Sequence, residues 1–136
     1  MFDLAAVDFA ARDRAAGHLW LGEVVATAGL ILLIFALARS GRAPVAPAAV
    51  GAYIGAAYWF TSSTSFANPA VTIGRAFTDT FAGIAPASVP GFVIAQLIGL
   101  AVGIVLLAAL YPDAGRAADQ VVVPANGRDR ALDDPA

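Results

Sequence analysis

Three apolar stretches dominate the chain, at residues 19–38, 43–60 and 89–111, and polar or turn-forming residues bound each of them. The first and third reach about 20 residues, the length that crosses a hydrocarbon core of about 30 Å at 1.5 Å per residue; the second is at the short limit. The pattern therefore predicts three membrane-spanning helices. A cleaved leader peptide is the competing reading of the first stretch. Its apolar core is too long for that, its flank is mixed in charge, and an eighteen-residue polar lead precedes it.

Between the second and third stretches, a run of hydroxyl residues (Ser62, Ser63, Thr64, Ser65) gives way to Asn68-Pro69-Ala70 and then to a helical pattern expected over 69–79. This helix is too short to span. After Tyr111 comes Pro112-Asp113-Ala114-Gly115 and a polar segment without apolar periodicity, read as a disordered tail over 112–136.

Composition sharpens this picture. Of 136 residues 60% are hydrophobic and 13% charged, which makes lipid the expected solvent. Eight arginines, no lysine and ten acidic residues leave a net charge of −2, with no basic stripe for nucleic acid. No cysteine is present, and His18 is the one histidine, so thiolate and histidine metal sites are not expected, and no cofactor is implied. His18, Asp79 and Asp113 read as interfacial, cap or loop residues. No nucleophile with a base and no paired carboxylates appear, which argues against an enzyme.

Arginine placement sets an expected orientation. Arg39 and Arg42 lie in the first short loop and Arg116, Arg128 and Arg130 follow the last span, so both regions are expected on the cytoplasmic side. Arg12 and Arg14 in the lead, 1–18, would then lie outside. Trp20, Trp59 and Tyr111 fall at span ends as interfacial anchors would.

Asn-Pro-Ala at the head of a short helix has a physical logic. Pro69 takes the first helical position, where a missing N–H is no loss, and Asn68 becomes the N-cap. Its side-chain oxygen accepts from a helix N–H, leaving its amide nitrogen free to donate outward; the helix dipole adds positive potential at the same point. A plain turn before a helix is the bland reading of Asn-Pro. A half-length helix between spans, however, must line a cavity or be buried, because irregular backbone cannot face lipid. Glu23, five residues into the first span, is expensive there and calls for a partner, unless it lies shallow enough to be solvated. Gly51 with Gly55, and Gly99 with Gly103, form small-xxx-small pairs suited to close helix contact.

The run Ser-Phe-Ala-Asn-Pro-Ala-Val-Thr-Ile-Gly-Arg, residues 65–75, resembles the signature of the major intrinsic protein family, the aquaporins and glycerol facilitators. Gly22-Glu23, the glycine-rich second span, and Gln96 with Gly99 resemble that family's fourth, fifth and sixth helices. The resemblance implies an all-α membrane protein, an aquaporin-like half repeat of three spans and one re-entrant half-helix over 19–111. The lead resembles the loop joining two inverted repeats, so the chain would be a fragment needing a second repeat, from the same or another chain, to complete a pore. Complete pores of the family associate in fours, which would make a full-length protein a homo-oligomer in a bacterial inner membrane.

The resemblance also implies roles. Asn68, Pro69, Ala70, Ser65, Phe66 and Ala67 would line the pore, and Glu23 would accept hydrogen bonds from the re-entrant backbone. Where the family's filter arginine stands, this chain has Val71; Arg75, one turn on, would reach the outer vestibule. Ile54 or Ala56 would hold the other filter position. Val71 together with residues 77–84 resembles a bacterial subgroup associated with arsenic resistance, which implies small uncharged solutes: water, glycerol-like polyols and neutral trivalent arsenicals. The alternative is a non-conducting membrane remnant or assembly protein.

Overall fold

A computed structural model describes residues 8–111; the tail expected over 112–136, with Asp113, lies outside them. The order of elements is α1 (Gly17–Arg39), α2 (Ala46–Phe60), α3 (Pro69–Arg75) and α4 (Val89–Leu110), with single 3₁₀ turns at Ala43–Val45 and Pro86–Ser88 leading into α2 and α4. Among the described residues all regular structure is helical. Two stretches, Gly17–Arg39 and Pro86–Leu110, are long and apolar enough to cross a membrane.

Local sequence sets the helix ends. Gly41 adopts a left-handed φ of 71°, and behind it Arg42 N–H donates to the Leu37 carbonyl at 2.8 Å, closing α1. Prolines stand in the first turns of α2 and α4, where no donor is lost. The second apolar stretch is shorter as a helix than expected: α2 proper has 15 residues, or about 22 Å, because its opening turn is 3₁₀. At its other end the Thr61 hydroxyl donates to the Ala57 carbonyl at 2.7 Å.

The half-helix also differs from expectation, ending at Arg75 instead of Asp79. The carbonyls of Ala76 and Phe77 are claimed by the lead, accepting from Ala10 N–H and Asp8 N–H, each at 3.1 Å. Further along, Ala85 N–H donates to the Arg12 carbonyl at 2.7 Å and Ala11 N–H to Asp79 Oδ1 at 3.4 Å. Residues 8–14 of the lead thus form a strap across the segment joining α3 to α4.

Helices α1 and α4 make the main helix pair, and glycine sets their separation. A Cβ at Gly99 would lie 2.6 Å from the Val24 carbonyl oxygen, and one at Gly103 would lie 3.1 Å from Ile31 Cβ. The other pair behaves differently: a Cβ at Gly51 or Gly55 would meet nothing within 4 Å, so these glycines serve no close contact among the described residues. Tyr53 instead ties α2 to α1, its hydroxyl donating to the Ala26 carbonyl at 2.9 Å over Gly29, where a side chain would collide with it. A small apolar cluster of Phe66, Ala76, Ile84 and Phe92 closes the end beneath the strap.

Candidate functional site

The segment 61–68 enters between the helices in a conformation that ordinary residues avoid. Thr64, Ser65 and Ala67 have φ values of 63°, 46° and 53°, in the left-handed region. Each such residue costs about 1–2 kcal/mol, so the surrounding structure must hold the segment in place. Ser63 begins the work: its Oγ accepts from Ser65 N–H at 3.2 Å. Among the described residues no donor reaches the carbonyls of Thr64, Ser65, Phe66 or Ala67. The outcome is a short ladder of free carbonyl oxygens.

Glu23 holds the far end of that ladder. Fully buried on α1, it accepts from Phe66 N–H and Ala67 N–H, each at 2.9 Å, and from Gln96 Nε2 at 2.7 Å. Burial removes the solvated reading of Glu23. Gln96, on α4, also donates to Thr72 Oγ1 at 2.8 Å, and the Thr72 hydroxyl donates to the Asn68 carbonyl at 3.0 Å. One carboxylate thereby couples α1, α4, the loop and the half-helix. Three charge-assisted or amide donors on one buried acid make an arrangement that is costly to leave half-made.

Asn68 caps α3, its Oδ1 accepting from Ala70 N–H at 2.7 Å, and the side chain remains exposed with its amide nitrogen unengaged. Ala70 and Val71 are exposed beside it, Pro69 is half-buried, and on α2 Ile54 is half-buried and Ala56 exposed. The hydroxyl-rich run divides: Ser62 is exposed, whereas Ser63 and Ser65 are buried. Phe66 departs from a pore-lining side chain. It is 3% exposed and packs on Phe92 with ring centroids 5.4 Å apart, so its side chain belongs to the core and only its backbone carbonyl remains free. Ala67 is likewise buried. The physical reason is burial: a benzyl group turned inward gains about 1.5–3 kcal/mol.

Arg75 is half-buried, donating to the Tyr58 hydroxyl at 2.8 Å, with its guanidinium carbon 5.2 Å from the Phe66 ring centre. A second guanidinium, Arg14 from the strap, lies 5.3 Å from the same ring. Arg14 is 5% exposed and donates to three carbonyls: Gly83 at 2.8 Å, Ser63 at 3.0 Å and Phe81 at 3.1 Å. Burial first, then the Arg12 and Arg75 charges, pull its pKa below the usual arginine value, while Glu23 acts in the opposite direction. The sequence pattern marked Arg14 only as a charge outside the spans. A cation three residues before the start of α1 carries no local signature of what it will bind.

Among the described residues these features define an all-helical chain whose polar site is a strained loop and a capped short helix set against two helices long and apolar enough to cross a membrane. Over 107 residues the chain is 51% identical to Aquaglyceroporin AqpS of Rhizobium meliloti (strain 1021). The chain is thus homologous, over most of its length, to a member of the major intrinsic protein family. The match covers 79% of this chain and 46% of that protein, so the chain spans about half the length of its relative. Neither a protein-family model nor a solved structure matches it.

Proposed function

We propose that the chain forms one wall of a passive transmembrane channel for small uncharged solutes, the opposite wall being supplied by a second repeat of the same kind. The observation that carries this reading is the pairing of an exposed Asn68 amide donor with the free carbonyls of residues 64–67, at the end of a strained loop between two apolar helices. A donor followed by a row of acceptors replaces a solute's hydration step by step, while Val71 and Ile54 or Ala56 supply apolar surface opposite. The homology to an aquaglyceroporin supports the same class.

In this reading α1, α2 and α4 all span the membrane, α2 in a locally thin or tilted setting, with the strap outside and the helix C-termini of α1 and α4 on the cytoplasmic side. Lipid covers the outer faces and complete pores associate with one another. With valine in place of a charged donor at 71, the conduit favours glycerol-like polyols and neutral trivalent arsenicals over strict water selection. The test is flux into liposomes containing this chain with a complementary repeat. Glycerol and arsenite should enter faster than into empty vesicles, and Val71→Arg should slow both. Flux no greater than in empty vesicles sinks the channel reading; undiminished flux in Val71→Arg sinks the placement of Val71.

A further inference from the structure

We infer that Arg14 is a positioning residue for the conduit: from the strap it fixes the outer end of the carbonyl ladder, as Glu23 fixes the inner end. The geometry is specific. Three carbonyls from separate points of the chain, Ser63, Phe81 and Gly83, converge on one planar guanidinium. Their negative ends would repel one another without a cation between them, and a flat fork of donors matches three directions where a point charge does not. Ser63 is fully buried and immediately precedes the left-handed residues Thr64 and Ser65. Holding its carbonyl at 3.0 Å therefore sets where the ladder begins.

The two clamps are complementary in sign. The cation takes a C=O at the start of the segment, and the carboxylate takes two N–H groups at its end. Between them the backbone has no slack to relax into ordinary φ values. The strap is itself secured at the same place, with Arg14 N–H donating to Ser88 Oγ at 3.0 Å. Close approach at Gly83, where a Cβ would lie 2.7 Å from Ala10 Cβ, packs the strap down over the guanidinium.

The experiment compares wild type, Arg14→Lys, Arg14→Gln and the exposed neighbour Arg12→Gln in lipid nanodiscs by amide exchange. Exchange at Ser65, Phe66 and Ala67 should quicken roughly tenfold in both Arg14 variants, with α1 and α4 unchanged and Arg12→Gln like wild type. Lysine failing to rescue is the distinguishing result, since it keeps the charge and loses the fork. Loop exchange like wild type in Arg14→Lys, or quickening equally throughout α1 and α4, overturns the inference. A second arm rests on the proposed channel function: Arg14→Lys should shift the ratio of glycerol to water permeability. Both permeabilities falling in proportion would overturn the positioning role. A wild-type protein without flux would instead overturn the channel reading, and loop exchange alone would then decide whether Arg14 sets the ladder.

Discussion

Replacing Glu23 by an apolar side chain of similar length tests the central coupling of the molecule. In Glu23→Met three donors lose their acceptor: the amides of Phe66 and Ala67, at 2.9 Å each, and Gln96 Nε2 at 2.7 Å. Each orphaned buried donor costs about 1–3 kcal/mol, and removing a buried carboxylate returns part of that by sparing its desolvation. We expect a net loss of about 3 kcal/mol. The loss should be local, because the loop already stores strain at Thr64, Ser65 and Ala67 that opening would release. Amide exchange at Phe66 and Ala67 should therefore accelerate by about two orders of magnitude, while the α1 and α4 amides keep their protection. Glu23→Gln should be milder. Its single oxygen can still accept from Ala67 N–H and Gln96 Nε2, which leaves the Phe66 amide as the one orphaned donor and a loss of about 1–2 kcal/mol. Equal loop exchange in Glu23→Met and wild type, or unfolding of the whole chain before the loop opens, would refute this account.

Other outcomes follow from the same contacts. Gly99→Ala places a Cβ 2.6 Å from the Val24 carbonyl oxygen and should lower thermal stability in detergent by about 1–3 kcal/mol, whereas Gly51→Ala, with nothing within 4 Å, should be near neutral. Equal effects would contradict the assigned helix contact. Asn68→Ala removes the acceptor for Ala70 N–H and should cost about 1 kcal/mol, read as faster exchange at that amide. The Asp13 carboxyl sits below its ordinary pKa because it accepts from the Ser88 hydroxyl at 2.8 Å and from Ala15 N–H. A depressed acid contributes its anchoring fully above its unfolded pKa and loses it as pH falls through the folded one. Strap exchange should therefore quicken as pH drops below about 4, and Asp13→Asn should flatten that acid limb. An unchanged limb would show that the strap does not depend on this carboxylate.

Where the information resides differs from residue to residue. The apolar runs, the prolines at helix starts and the Asn68 cap are consequences of neighbours in sequence: hydropathy, fixed φ and a side chain reaching two residues along. Those features made the helical class, the membrane character and the capped half-helix legible in the chain itself. The end of α3 was not legible, because strap residues more than sixty positions away take the carbonyls of Ala76 and Phe77. Nor was the direction of Phe66. A residue in a left-handed loop can present either side chain or carbonyl to a cavity, and only the apolar pocket made with Ile84 and Phe92 decides which. Arg14 is the clearest case. Its three carbonyl partners lie forty-nine to sixty-nine residues away, and convergence over such separations has no trace in local pattern. Sequence alone determined the elements and the cap, since short-range sterics and hydration act along the chain. Tertiary structure decided which buried charges hold the loop, since a charge taken out of water is stabilised only by the partners that the completed fold delivers to it.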